Sequence, residues 1–231
     1  MQTTDQQSLR PVLDHFEFDQ SEPEAQIQKF RALINQYQCA LYEVETKFKV
    51  LSSESALSKD RNPINSIHTR LKSPESILEK MVRKNIPLKL DLIEENLFDI
   101  AGVRVICPFL EDIEEISKAF LEQDDVVLIE TKDYINHPKP NGYRSLHLIV
   151  QTPIYLRNHK KMVYVEVQFR TIAMEFWASL EHQLRYKKNL SQELTNELQE
   201  ELLSCANTSA ELDVRMQNVR RKIVASESQT D

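Results

Sequence analysis

Only two of the 231 residues are glycine, Gly102 and Gly142, and they stand far apart. That scarcity rules out the backbone cradles many nucleotide-binding folds use for phosphate. Neither a Walker loop nor a dinucleotide glycine fingerprint can be written with isolated glycines. A chain like this that binds phosphate must do so mainly with arginine and lysine side chains.

The run at 137–147, His-Pro-Lys-Pro-Asn-Gly-Tyr-Arg-Ser-Leu-His, reads as a loop of stiff and permissive residues that presents Lys139, Tyr143 and Arg144. Downstream, Val163, Val165, Val167 and Phe169 alternate with Glu166, Gln168 and Arg170, the period of a strand with one apolar and one polar face. Further strands are expected over 64–72, 102–108, 125–131 and 144–152. Ser73-Pro74-Glu75 opens a helix expected to run to about Asn85, with Ser73 as cap and Pro74 at the first helical position. Helices are also expected over 111–122 and 171–187.

Both ends read as long helices. Residues 24–51 carry Ile27, Phe30, Ile34, Tyr37, Leu41, Val44, Phe48 and Leu51 at alternating three and four spacing, one apolar seam. Residues 191–225 repeat the pattern with Leu198, Leu202, Cys205, Ser209, Leu212, Met216, Val219 and Ile223. A polar linker is expected over 52–62. The fold class is therefore α/β: a mixed sheet with helices on its faces and long N- and C-terminal helices. The expected organisation is an acidic, disordered tail over 1–23, a domain over 24–188 and a helical extension over 189–231.

Net charge is −7, of which −5 falls within residues 1–24, so the remainder is near neutral. A duplex-binding domain shows a basic excess, which disfavours DNA as partner. No apolar run approaches the roughly 18 residues of a membrane span. Cys39, Cys107 and Cys205 lack paired spacing, so neither disulfides nor a zinc knuckle is expected; the N-terminus is polar and acidic with no signal-peptide apolar stretch, so a cytoplasmic location is expected.

Five segments occur in an order that resembles the small alarmone synthetases, single-domain relatives (RelP/RelQ type) of the RelA/SpoT enzymes. They are Thr-Arg-Leu-Lys-Ser-Pro-Glu-Ser-Ile-Leu-Glu-Lys at 69–80, Asp-Ile-Ala-Gly-Val-Arg at 99–104, Pro-Asn-Gly-Tyr-Arg-Ser-Leu-His at 140–147, Glu-Val-Gln-Phe-Arg-Thr at 166–171 and Glu-Phe-Trp-Ala-Ser-Leu-Glu-His at 175–182. The resemblance implies a nucleotidyltransferase-like synthetase domain that moves pyrophosphate from ATP to the 3′-hydroxyl of GDP or GTP, giving ppGpp or pppGpp and AMP. It implies Mg²⁺ as cofactor, with Asp99 and Glu166 as metal ligands and Glu166 as general base.

That chemistry needs a cation on phosphate oxygens, an acceptor hydroxyl that loses its proton, and two nucleotides in register. Magnesium commonly takes one or two carboxylates plus phosphates. By spacing alone, Asp99 could equally cap a turn and Glu166 could be a solvated strand residue. The resemblance assigns Arg70, Lys72, Lys80 and Arg104 to ATP, guanidiniums on adenine and ammoniums on phosphate. Arg83 and Lys84 read as a solvated basic face. On the acceptor side, Tyr143 can stack a purine, Lys139 and Arg144 can hold phosphates, and Gln168 can orient the acceptor. His147 is open between a satisfied core histidine and a ligand of phosphate or ribose. Phe176 and Trp177 read as core.

Two other classes compete. A nucleotidyltransferase that releases pyrophosphate would typically place two acids as Asp-x-Asp, and no such tripeptide occurs. A non-catalytic binder of nucleotide or single-stranded RNA could use the Tyr143 loop but has no need of two carboxylates beside phosphate. The seams at the two ends could simply pack on the sheet domain; the resemblance implies instead a homotetramer in which these helices form the interfaces.

Overall fold

A computed structural model describes residues 15–16, 23–58, 61–185 and 192–227. The chain runs α1 (Pro23–Ser58), β1 (Ser66–Leu71), α2 (Pro74–Arg83), α3 (Asp91–Asn96), β2 (Ala101–Cys107), α4 (Leu110–Leu121), β3 (Val127–Asp133), β4 (Leu146–Tyr155), β5 (Lys160–Thr171), α5 (Ile172–Arg185) and α6 (Gln192–Glu227). The five strands form one mixed sheet in the order β1-β2-β5-β4-β3, with β2 and β5 parallel and the other neighbours antiparallel.

The alternation read in β5 sorts the sheet into two faces. Val163, Val165, Val167 and Phe169 are buried, together with Val103, Val105, Leu148 and Val150 on the neighbouring strands. α1 and α4 cover this face. Phe48 of α1 stacks on Phe120 of α4 at 4.6 Å and meets Phe169 edge-on at 5.6 Å. Burying each such ring stabilises the fold by about 1.5–3 kcal/mol. The α1 seam thus packs on its own sheet, with Phe30, Tyr37, Leu41, Val44 and Phe48 all buried.

Helix α2 starts and stops as its residues dictate. Ser73 accepts a hydrogen bond from the Ser76 amide at 3.3 Å, and Pro74 takes the first helical position. At the other end Asn85 adopts φ 54°, while the Asn85 and Ile86 amides donate to Val82 and Met81 carbonyls at 3.0 Å. This is a Schellman stop with Asn in the left-handed position. It fixes the helix that delivers Lys80 to the cleft.

The structure departs from the sequence reading in several places. Residues 52–58, expected as linker, continue α1. They bury little, with Leu57 largely exposed, so they leave no apolar pattern; helix propagation adds one hydrogen bond per residue once the nucleus exists. α3 was not expected, being a single short turn. Of the tail over 1–23, only His15, Phe16 and the start of α1 are described, and Phe16 is buried 6.4 Å from Phe30; the rest lies outside the described residues.

The α6 seam is placed differently from that of α1. Its covered face carries Ala206, Asp213 and Gln217, while the seam residues Leu198, Leu212, Met216, Val219 and Ile223 are 43–52% exposed. Small residues let α6 approach closely. A Cβ on Gly142 would lie 2.5 Å from the Ala206 Cβ, and Gly142 has φ +87°. Glycine is required there twice over, by backbone and by space. Further along, Arg220 and Arg61 both donate to the buried carboxylate of Asp112, and both guanidiniums lie over the Phe109 ring.

Candidate active site

The second sheet face holds a cleft of about 490 Å³ between β1, β2, β5 and the start of α5. Strand register builds it. Arg70 pairs with Gly102, which pairs with Glu166; His68 pairs with Arg104, which pairs with Gln168; Ile106 pairs with Arg170. Directly paired residues share a face, so the polar half of β5 lies beside the cationic half of β1 and β2. Arg70, Lys72, Asp99, Arg104, Glu166 and Gln168 all line this cleft.

Asp99 sits just before β2 and is gripped by two lysines. Lys72 Nζ donates to Asp99 Oδ2 at 3.0 Å, and Lys80 of α2 donates to the same oxygen. The two-residue step from Arg70 keeps Lys72 on this face, and the Lys72 amide bonded to the Ile100 carbonyl at 2.8 Å carries the pairing past β1. Burial pushes the Asp99 carboxyl up, but the two ammoniums outweigh it and hold it below the ordinary carboxylate range. Asp99 Oδ1 is buried without a hydrogen-bond partner among the described residues. An ionised carboxylate with one orphaned oxygen, in a cleft shared with a second carboxylate, suits a divalent ion that also takes phosphate oxygens. Among the described residues no group of three His, Cys, Asp or Glu could hold a metal by itself.

Glu166 is held by β4 and β5 together. His147 Nδ1 lies 3.1 Å from Oε1, and Gln168 Nε2 donates to Oε2 at 2.8 Å. The Tyr143 hydroxyl accepts from Arg170 Nη2 at 2.7 Å and from Ser145 Oγ at 3.0 Å, and lies 2.9 Å from His147 Nε2. Burial raises the Glu166 carboxyl, yet the His147 and Gln168 bonds prevail and keep it below its ordinary value. His147, open in the sequence reading, is buried beside Glu166.

The 137–147 loop reaches the site through Tyr143. Its ring meets Lys139 Nζ at 4.8 Å, and Lys139 also lies 4.5 Å from the Tyr134 ring. Tyr134 in turn packs edge-on against Tyr143 and His147, at 6.1 and 5.3 Å. Arg144 does not join them. It donates to the Ile135 carbonyl at 3.2 Å and lines a small cavity under α6 with Trp177, Ala206 and Asp213. Trp177 is core, as expected, and donates to the Leu202 carbonyl at 2.9 Å. Phe176 is not: it is 65% exposed on α5, because adjacent helical positions face about 100° apart.

Two residues that sequence reasoning left without a role complete the site. Arg170 is almost fully buried, and Glu175, from the first turn of α5, binds Arg170 Nη1 at 2.7 Å and Arg104 Nη1 at 2.9 Å. The signal for Arg170 was its position four residues after Glu166 on one strand face. Glu175 carried none, since it meets Arg104 only through the fold.

Residues 69–191 match the family model described as the region found in RelA/SpoT proteins. The chain is 42% identical over 187 residues to the GTP pyrophosphokinase YwaC of Bacillus subtilis, across 81% of this chain and 88% of that protein. It is similar to the crystal structure of small alarmone synthetase 1 from Bacillus subtilis bound to its product pppGpp, with TM-score 0.77 and 34% identity over 85% of this chain and 99% of that one. The same relative bound to AMPCPP matches with TM-score 0.71 and 30% identity, over 86% of this chain and 99% of that one.

Proposed function

The chain belongs to the RelA/SpoT family, and on that premise we propose that it is a (p)ppGpp synthetase: it transfers pyrophosphate from ATP to the 3′-hydroxyl of GDP or GTP and releases AMP. One observation carries this reading: Asp99 and Glu166, 67 positions apart in the chain, line a single cleft between cationic side chains.

In this reading the acceptor oxygen bonds to the β-phosphorus of ATP, the bond from that phosphorus to the α,β-bridging oxygen breaks, and AMP leaves with that oxygen. Glu166 takes the proton of the 3′-hydroxyl. Its two hydrogen bonds leave each oxygen a free lone pair and hold the carboxylate in one orientation, which is what a positioned base requires. Asp99 and Glu166 would hold Mg²⁺, which supplies neutralisation of phosphate charge when bound. Lys72 and Lys80 each carry three donors, so they can serve Asp99 and phosphate oxygens together. Arg70 and Arg104 are diagonal neighbours on one face, a spacing of about 7–8 Å that leaves room for one flat ring between two guanidinium planes. Tyr143 and Lys139 offer a stacking surface and a charge to the guanosine nucleotide. Arg144 would serve only through the loop it anchors.

The exposed apolar stripe of α6, continued by Ile172, Phe176, Leu180 and Leu184 at four-residue steps on α5, supports a homotetramer joined through these helices. Nucleotide substrates and three free cysteines favour the cytoplasm.

The test is turnover of ATP labelled in its β and γ phosphates with GDP and Mg²⁺. Label on guanosine with release of AMP supports synthesis. Free labelled pyrophosphate would assign the chain to another nucleotidyltransferase.

A further inference from the structure

Arg170 occupies the centre of a closed circuit. Its Nη2 donates both to the Tyr143 hydroxyl at 2.7 Å and to Gln168 Oε1 at 3.2 Å, using both protons of that nitrogen. Tyr143 passes on to His147 and Gln168 to Glu166, and both branches meet at the Glu166 carboxylate. The remaining terminal nitrogen, Nη1, donates to Glu175, whose second oxygen holds Arg104. A guanidinium is planar and forked, so a shift at any one partner turns the whole group. At 6% exposure, Arg170 has almost no solvent to replace a lost partner.

We propose that Arg170 is a positioning residue that couples the two nucleotide subsites, so that an ordered Arg104 on the donor side and an ordered Tyr143 on the acceptor side stabilise each other. The inference rests on the synthetase reading for the identity of the two nucleotides. A guanidinium that served stability alone would need Glu175 and burial, but not donors divided between the acceptor loop and the residue that orients Glu166. Lysine could not substitute, since one ammonium cannot span Glu175, Gln168 and Tyr143 in the same plane.

The experiment measures dissociation constants of AMPCPP and GDP by calorimetry in the full chain, Glu175→Gln, Tyr143→Phe and the double variant, with melting temperatures alongside. Glu175→Gln loosens the hold on Arg104 and on Arg170 Nη1 without touching the acceptor loop, and Tyr143→Phe keeps the ring while deleting the hydroxyl. Coupling predicts that Glu175→Gln weakens GDP and Tyr143→Phe weakens AMPCPP, each by about threefold to tenfold, and that the double variant loses less than the product of the two. Effects confined to each residue's own nucleotide, and multiplying in the double variant, would overturn the proposal. Should Glu175→Gln melt too early for binding to be read, the AMPCPP affinity of Tyr143→Phe decides alone. Because binding is read without turnover, a chain that binds both nucleotides but makes no alarmone would refute the synthetase reading and leave this result standing; a chain that binds neither would refute both.

Discussion

His147 stands between Tyr143 and Glu166, 2.9 Å from the hydroxyl of one and 3.1 Å from the carboxylate of the other. In that position the imidazole holds the carboxylate of the proposed general base. The groups facing Glu166 are this histidine, Gln168 and the more distant charge of Asp99, which opposes ionisation. Removing His147 deletes the larger stabilising contribution. His147→Ala should therefore raise the Glu166 pKa and move the acid limb of kcat/KM to higher pH. A pH–rate profile with an unmoved acid limb would discard His147 as the partner that matters.

Glu166→Gln tests the base itself. The amide retains the shape of the side chain but cannot accept a proton, so kcat should fall about 100-fold or more while nucleotide affinities change little. Single-turnover rates at saturating nucleotide would read this directly. Turnover near that of the parent chain would move the base elsewhere.

Asp99 links the site to stability against acid. Its folded-state pKa lies below the ordinary 3.8, so its contribution is complete above that value and is lost as pH falls through the lower folded value. In Asp99→Asn the melting temperature should respond less steeply to pH below about 3.8 than in the parent chain, and it should be lower at neutral pH because Lys72 and Lys80 lose their shared partner. Parallel melting curves across that range would show that the pair with the lysines contributes nothing.

Gly142 connects the acceptor loop to the C-terminal helix. Any side chain there meets both a left-handed backbone and the Ala206 methyl group, so Gly142→Ala should destabilise by about 1–3 kcal/mol. The loop would have to lift from α6, carrying Tyr143 with it. The expected signature is a lower melting temperature together with a KM for GDP raised more than that for ATP. A loss of stability with both KM values unchanged would separate the loop's anchor from its function.

What could be read in the sequence was whatever depends on local period and chemistry. The β5 alternation placed Glu166, Gln168 and Arg170 on one face, and the Ser73 cap set the start of α2 and hence the position of Lys80. The resemblance paired Asp99 with Glu166, and the register then brought both to one cleft. What escaped reading depends on contacts between distant elements. That Lys72 and Lys80 share one oxygen of Asp99 depends on where α2 sets Lys80 relative to the end of β1, which no local period shows. That Arg144 turns under α6 while its neighbour Tyr143 enters the site follows from a loop pinned at Gly142 by Ala206. The α6 periodicity identified an apolar stripe correctly, but no periodicity shows which stripe its own domain covers. Here Asp213, bonded to Thr171 at 2.6 Å, and Gln217 took the covered face by hydrogen bonding.

That inversion bears on assembly. A helix that covers its polar face and leaves Leu212, Met216, Val219 and Ile223 about half exposed among the described residues has an apolar surface that the proposed assembly would bury. Two copies meeting along these positions would each withdraw several large side chains from water, at about 25 cal/mol per Å² of apolar area. Met216→Glu combined with Val219→Glu places charge in the middle of the stripe at positions that are half exposed, so the fold of each chain should survive. Light scattering should then fall from a multiple of 27.1 kDa to that mass itself, with the melting profile of the domain retained. A parent chain that already scatters as 27.1 kDa, or a double variant whose assembly is unchanged, would show that the stripe is not the interface.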